Sequence, residues 1–80
     1  MRADGESIIG VLEVVTGAVT DLGPGTLPRW APDGKRLAVS TIGVAEIVIV
    51  GVADGSRTTL TRGFVPIWSP DGEWIVFGRS

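Results

Sequence analysis

Short apolar runs alternate with clusters of Pro, Gly and Asp along the whole chain. Val, Ile and Thr dominate the runs, which is typical of β-strands bounded by turns. No stretch shows the spacing of three to four residues between apolar positions that an amphipathic helix requires. The pattern therefore predicts an all-β chain.

The strand pattern occurs twice. Residues 28–34 read Pro-Arg-Trp-Ala-Pro-Asp-Gly, and residues 66–72, 38 positions later, read Pro-Ile-Trp-Ser-Pro-Asp-Gly. A single offset that holds over such a span indicates one structural unit used at least twice. The same offset also aligns Ile9 with Ile47, Gly17 with Gly55, Leu22 with Leu60, and Gly25 with Gly63.

Each unit divides into four predicted strands, which we name segments a to d. The Pro-Asp-Gly sequence predicts a tight turn between a and b, and Asp54-Gly55 predicts a hairpin between c and d. In the other copy, Thr16-Gly17 occupies that hairpin position. The segments are a, 27–31 and 65–69; b, 35–41 and 73–79; c, 46–52 and 8–15; d, 57–61 and 19–22.

The four segments differ in ways that predict their order in space. Segment c is apolar without alternation from Ile47 to Val50, so both of its faces should be covered. Segment d is largely polar, which favours an outer edge. Segment a contains Pro28 or Pro66, and proline is confined to edge strands because it cannot donate to a ladder. An antiparallel sheet ordered a-b-c-d with two covered faces is a β-propeller blade.

The residues at the a-to-b turn also resemble a known repeat. Trp68–Gly72 read Trp-Ser-Pro-Asp-Gly and precede the apolar run Trp74–Phe77. This pattern, like its copy at Trp30–Gly34, resembles the WD40-like β-propeller repeat of the TolB family. Similar repeats occur in the propeller domains of prolyl-oligopeptidase-type peptidases. The resemblance implies that the propeller of such peptidases carries no catalytic residues and gates access to a separate hydrolase domain.

The order of segments along the chain predicts self-association. Residues 1–26 supply a half blade (c, d), residues 27–64 a complete blade, and residues 65–80 a second half blade (a, b). Propellers close with about four to eight blades, so two blades' worth of strand cannot close alone. We expect the a-b hairpin of one chain to pair head to tail with the c-d hairpin of the next. The resemblance to TolB-type repeats, in which six blades are common, favours three chains with six blades, and a dimer or tetramer is also allowed.

The amino-acid composition excludes several classes of function for this chain. The chain has no Cys and no His, which excludes Ser-His-Asp and Cys-His catalysis and ordinary zinc sites, so neither an enzyme nor a cofactor is predicted. The net charge of −2 comes without a basic stripe, so we expect no nucleic-acid partner. No apolar run is long enough for a bilayer and no signal-peptide pattern opens the chain, so a soluble protein of unknown location is expected.

Several single residues are candidates for chemistry or packing. Asp33 and Asp71 could act as paired carboxylates or calcium ligands, but such residues more often bond the amides of their own turns. Trp30 and Trp68 are predicted to pack between blades. Trp74 stands where the other copy has Arg36, so it is predicted to fill the junction with a neighbouring chain or to form an exposed contact.

Three further residues are candidates for binding at the channel mouth. Arg29 lies beside the inner-edge proline, and Arg62 and Phe64 lie in the loop from d to a. A guanidinium group suits a carboxylate or a phosphate, so a small anionic ligand or a protein partner is expected there. The alternatives, which are more common at such positions, are a salt bridge or a solvated channel at Arg29 and an ordinary loop at Arg62 and Phe64. The chain is thus predicted to be a non-catalytic oligomeric propeller acting as a scaffold or binding module. The alternative is a fragment of a longer TolB-like propeller or of a peptidase-associated gating propeller.

Overall fold

The computed structural model describes residues 7–79 and contains no helix within them. Every strand pairing in this part of the chain is antiparallel, so the prediction of an all-β antiparallel protein is confirmed. The strands are β1 (Ile8–Leu12), β2 (Val19–Pro24), β3 (Thr26–Trp30), β4 (Arg36–Ser40), β5 (Glu46–Gly51), β6 (Arg57–Arg62), β7 (Phe64–Trp68) and β8 (Ile75–Gly78).

The strands form three sheets that follow one another along the chain. The N-terminal sheet is β1-β2, the central sheet is β3-β4-β5-β6, and the C-terminal sheet is β7-β8. The central sheet therefore has the a-b-c-d order expected from the sequence. Both prolines of segment a lie in strands with a single partner, β3 beside β4 and β7 beside β8.

Two predicted strands are clearly longer than the observed ones. The second copy of segment b was expected to run from residue 73 to residue 79, but β8 spans only Ile75–Gly78. Segment c was expected to run from residue 8 to residue 15 in the first copy, but β1 ends at Leu12. A turn begins there because the amide of Gly17 donates to the carbonyl of Glu13 at 2.8 Å and the amide of Glu13 donates to that of Ala18 at 2.9 Å. This turn leaves Val14 and Val15 outside the strand and exposed.

The two copies share their backbone hydrogen bonds as well as their sequence. The amide of Gly25 donates to Ser7 at 3.0 Å, and 38 residues later the amide of Gly63 donates to Ala45 at 2.9 Å. The bonds that close both Pro-Asp-Gly turns and both c-to-d hairpins are likewise duplicated. Leu27 and Val65, which are also equivalent, share an uncommon left-handed conformation with φ of 51° and 55°. The repeat therefore extends to the hydrogen bonds and the φ angles of individual residues.

The core lies between the N-terminal and central sheets. On one face of the central sheet, which we call the N-face, the pairs Leu37–Val50 and Val39–Val48 point towards Ile9 of β1. Leu22 of β2 completes this buried cluster. On the opposite face, the C-face, the hydroxyl of Ser40 accepts a hydrogen bond from the amide of Val65 at 3.2 Å. The central sheet is therefore covered by the N-terminal sheet on one face and contacted by the C-terminal sheet on the other.

The burial of the central strands agrees with the predicted order. β5 is buried along both faces, whereas β6 is almost wholly exposed. β1 is the copy of β5 but is less buried, and β8 is less buried than its copy β4. The difference arises because β1 pairs only with β2, and β8 only with β7, within residues 7–79.

Candidate functional site

A cleft of about 410 Å³ opens between the C-face of the central sheet and the C-terminal sheet. We call it the lateral cleft. Its apolar walls are Ile47, Ile49 and Leu60 of the central sheet and Ile75 and Phe77 of β8. Arg36, Thr61 and Glu73 also line the cleft, but most of its walls are aliphatic or aromatic, so it suits an apolar side chain better than a polar ligand.

Trp68 connects the C-terminal sheet to the central sheet beside this cleft. Its indole Nε1 donates a hydrogen bond to the carbonyl of Arg29 at 3.0 Å. The guanidinium carbon of Arg36 lies 4.9 Å from the centre of the indole ring, which is a cation–π geometry. Trp30 and Trp74 are much more exposed, at 52% and 70%. Trp68 thus packs between two sheets, and the packing predicted for the other two tryptophans stays a prediction.

The aspartates of the two Pro-Asp-Gly turns bond their own turns. Oδ1 of Asp33 accepts from the amide of Lys35 at 2.9 Å, and Oδ1 of Asp71 accepts from the amide of Glu73 at 3.0 Å. Asp33 also pairs with Arg36 at 3.2 Å on the surface. The local role proposed for both aspartates is therefore confirmed. Within residues 7–79, no group of three or more His, Cys, Asp or Glu side chains could hold a metal ion.

These bonds make the fold sensitive to acid. The bond from the Lys35 amide lowers the pKa of Asp33, and the Ser69 hydroxyl, followed by the Glu73 amide, lowers the pKa of Asp71. A carboxyl whose pKa is depressed in the folded state stabilises that state above its unfolded pKa, and this stabilisation is lost as the pH falls through the folded value.

We therefore expect the urea midpoint of unfolding to decline as the pH falls below the ordinary aspartate pKa of 3.8. Asp71→Ala should lower the midpoint at pH 6 and have progressively less effect at lower pH, because the parent carboxyl is then neutral. Urea titrations of both proteins from pH 6 to pH 2 measure this convergence. Parallel curves over the whole range would show that the Asp71 charge contributes nothing.

A second cavity, of about 650 Å³, lies at one end of the sheets. We call it the rim cavity. It is lined by Arg62, Phe64 and Arg79 together with the loop of residues 43–45. Arg62 is the last residue of β6 and Phe64 the first of β7, so the prediction that both lie in a loop is wrong. Both line this cavity, together with Arg79, which the sequence did not single out. Arg29 lies elsewhere, in β3, where its Nη1 donates to the neighbouring carbonyl of Pro28 at 3.1 Å.

Arg57 is a structural residue that sequence reasoning missed. It projects from β6 to the N-terminal sheet, where Nη1 donates to the carbonyl of Leu22 and Nη2 to that of Pro24, both at 2.7 Å. Gly23 leaves room for this side chain, because a Cβ there would lie 3.0 Å from Nη1. The equivalent residue in the other copy is Val19, so the repeat gave no signal for this contact.

Arg57→Met is expected to lower the free energy of unfolding by about 1–3 kcal/mol, because it removes two charge-assisted hydrogen bonds between sheets. Arg29→Met is the matched control, since that guanidinium bonds only the carbonyl beside it along the chain in the part of the structure described. Urea unfolding of both variants measures the difference. Equal losses would mean that the Arg57 bonds contribute no stability.

No known protein family, no curated protein and no solved structure matches this chain. Nothing in residues 7–79 forms a helix of the length and hydrophobicity that crossing a membrane requires.

Proposed function

We propose that this chain is a non-catalytic β-propeller subunit that assembles with copies of itself into a ring and serves as a scaffold or binding module. The observation that carries the proposal is the complementarity of two free strand edges. β8 is the repeat equivalent of β4, and β1 is the equivalent of β5. β4 and β5 pair in the central sheet, while β8 and β1 each lack that partner within residues 7–79.

Joining β8 of one chain to β1 of another restores the strand order of the central sheet. The resulting sheet, β7-β8 from one copy and β1-β2 from the next, has the order a-b-c-d. The contact is heterologous, so it generates a ring when the rotation between subunits divides a full turn. Three chains then give six blades, which is the arrangement we favour, and two or four chains give four or eight.

The exposed apolar surface supports the same proposal. Large hydrophobic side chains are exposed on both terminal sheets and beside them, among them Leu12 and Val19 at one end and Trp74, directly before β8, and Val76 at the other. An unpaired strand edge flanked by such residues is a template for pairing with another chain. Association would pair the free strand edges and cover the exposed hydrophobic side chains. The repeat's resemblance to TolB-type propellers is consistent with this architecture but does not identify a ligand.

The rim cavity is the surface we propose for binding. Arg62 and Arg79 give it two guanidinium groups, and Phe64 gives it an aromatic wall. This combination suits a small anion or an acidic segment of a protein partner. Its place at the end of the sheets leaves it accessible when the lateral edges are occupied.

Light scattering coupled to size exclusion tests the assembly. We expect a particle of three times the 8.3 kDa chain mass that unfolds cooperatively. A folded particle of one chain mass would contradict the proposal. Polydisperse aggregates would also contradict it and would favour the alternative, a piece of a longer propeller or of a peptidase-associated gating propeller.

A further inference from the structure

We infer that β8 pairs with β1 of a second copy in the register of β4 and β5, and that this pairing places Leu12 of the second copy in the lateral cleft. The inference rests on the proposed assembly and adds to it a specific register and two specific contacts. The interaction surface is therefore the free edge of β8 together with the lateral cleft, and its partner is a second copy of this chain.

The register follows from the central sheet. There, Leu37 lies opposite Val50 and Val39 lies opposite Val48. Moving each β4 residue forward by 38 positions and each β5 residue back by 38 gives the equivalent pairs between two copies. Ile75 then lies opposite Leu12, Val76 opposite Val11, and Phe77 opposite Gly10.

The residues at these positions complement one another in size. In the central sheet, Val39 and Val48 are both medium-sized and fully buried or nearly so. In the joined sheet, the equivalent pair is the large Phe77 and the small Gly10. A gain in volume on one strand is thus matched by a loss on the other, which is what a close-packed pair requires. This compensation favours a second copy over an unrelated strand.

The lateral cleft on the C-face is the repeat equivalent of a surface that is covered on the N-face. On the N-face, Val50 is 0% exposed because the N-terminal sheet covers it. Its equivalent Leu12 is 60% exposed. In the interface between the N-terminal and central sheets, Val11 and Leu22 lie against Val50. The repeat equivalents of Val11 and Leu22 are Ile49 and Leu60, which line the lateral cleft on the C-face. By this symmetry, Leu12 of the second copy belongs beside Ile49 and Leu60, inside the cleft.

A contact between tryptophans follows from the same symmetry. Arg36 lies over the ring of Trp68 within one chain. Their repeat equivalents are Trp74 and Trp30, which are exposed directly before β8 and at the end of β3. In the joined assembly, Trp74 of one copy stacks on Trp30 of the next. This contact gives a structural reason for a tryptophan where the other copy has an arginine.

The two free edges cannot meet within one chain in this fold. The N-terminal sheet lies on the N-face of the central sheet, and the C-terminal sheet lies on the C-face. A contact between Val11 and Val76 therefore requires two molecules. The chain has no native cysteine, so introduced thiols report this contact without interference.

The test is a double variant, Val11→Cys with Val76→Cys. In β4–β5 the equivalent pair, Ala38 and Ile49, is not hydrogen-bonded, and such pairs have Cα atoms about 4.5 Å apart, within disulfide range. Mild oxidation should link most chains into covalent multimers up to the size of the assembly, and a reductant should reverse this. The control is Leu12→Cys with Val76→Cys, which slips the register by one and points the two thiols to opposite faces. It should give at least about fivefold less cross-linking, as should each single variant.

The outcomes separate this inference from the proposed function. If the parent protein has a multiple chain mass but the matched pair does not cross-link more than the slipped pair, the register is wrong and the assembly stands. A parent protein of single chain mass overturns both. As a measurement that needs no cysteine, the tryptophan emission of the parent protein should shift to shorter wavelength on association, and Trp74→Phe should reduce the shift. An unchanged shift in Trp74→Phe would overturn the stacking of Trp74 on Trp30.

Discussion

Leu12→Asp is expected to abolish the multimer and leave single chains that are less stable than the parent. Leu12 is 60% exposed in one chain, so the substitution removes little of the packing within that chain. In the joined assembly the carboxylate would lie in the lateral cleft, whose walls are mainly apolar and include the carboxylate of Glu73 as well as the guanidinium of Arg36, so the added charge gains no net compensation. Burying an uncompensated charge costs several kcal/mol, which weakens association by about 100-fold or more.

Val15→Asp is the matched control for Leu12→Asp. Val15 lies three residues away, is 94% exposed in the c-to-d hairpin and has no assigned partner in the joined sheet. The control should keep the mass of the parent protein in light scattering, while Leu12→Asp should lose it at the same concentration. If Leu12→Asp retains the parent mass and melting temperature, Leu12 does not enter the cleft.

Leu37→Ala is expected to lower the free energy of unfolding by about 2–5 kcal/mol. Leu37 is 2% exposed in the cluster between the N-terminal and central sheets, and both sheets surround it, so the site cannot collapse readily around the smaller side chain. Small domains are stable by only about 5–15 kcal/mol, so this one change removes a large share of the total.

Ile42→Ala provides the comparison for Leu37→Ala. Ile42 is 60% exposed in the loop between β4 and β5, and its truncation should cost under about 1 kcal/mol. Both variants are compared with the parent by urea unfolding at one protein concentration, because association and folding are linked. A loss for Leu37→Ala no larger than that for Ile42→Ala would show that the described core does not stabilise the chain.

The sequence predicts the strands well because their signals are local. Pro-Asp-Gly and Asp54-Gly55 mark turns through their own backbone preferences, and the run Ile47–Val50 indicates a strand covered on both faces. The offset of 38 residues then carries each assignment to the second copy. The bonding of Asp33 within its own turn is predictable for the same reason.

The remaining features depend on contacts between sheets, which local patterns do not encode. Arg57 reaches carbonyls more than thirty residues away, and its repeat equivalent is Val19, so neither periodicity nor the repeat indicates it. Arg79 joins Arg62 at the rim cavity only because β8 and β6 end on the same side of the fold. The left-handed backbone at Val65 has no sequence signal either, since β-branched residues rarely adopt it.

Amide hydrogen exchange at the free edge of β8 shows directly whether β8 pairs with β1 of another molecule. Directly after β4, the amide of Thr41 donates to the carbonyl of Glu46 in β5 at 2.9 Å, and by alternation the amides of Leu37 and Val39 in β4 also donate to β5. The equivalent donors in β8 are Ile75 and Phe77. In the assembled protein we expect these two amides to be protected from exchange to the same degree as Leu37 and Val39, because each donates to β1 of a neighbouring molecule. Exchange at Ile75 and Phe77 as rapid as that of an open strand edge, in a protein whose Leu37 and Val39 amides are protected, would show that β8 does not pair with β1 of another molecule.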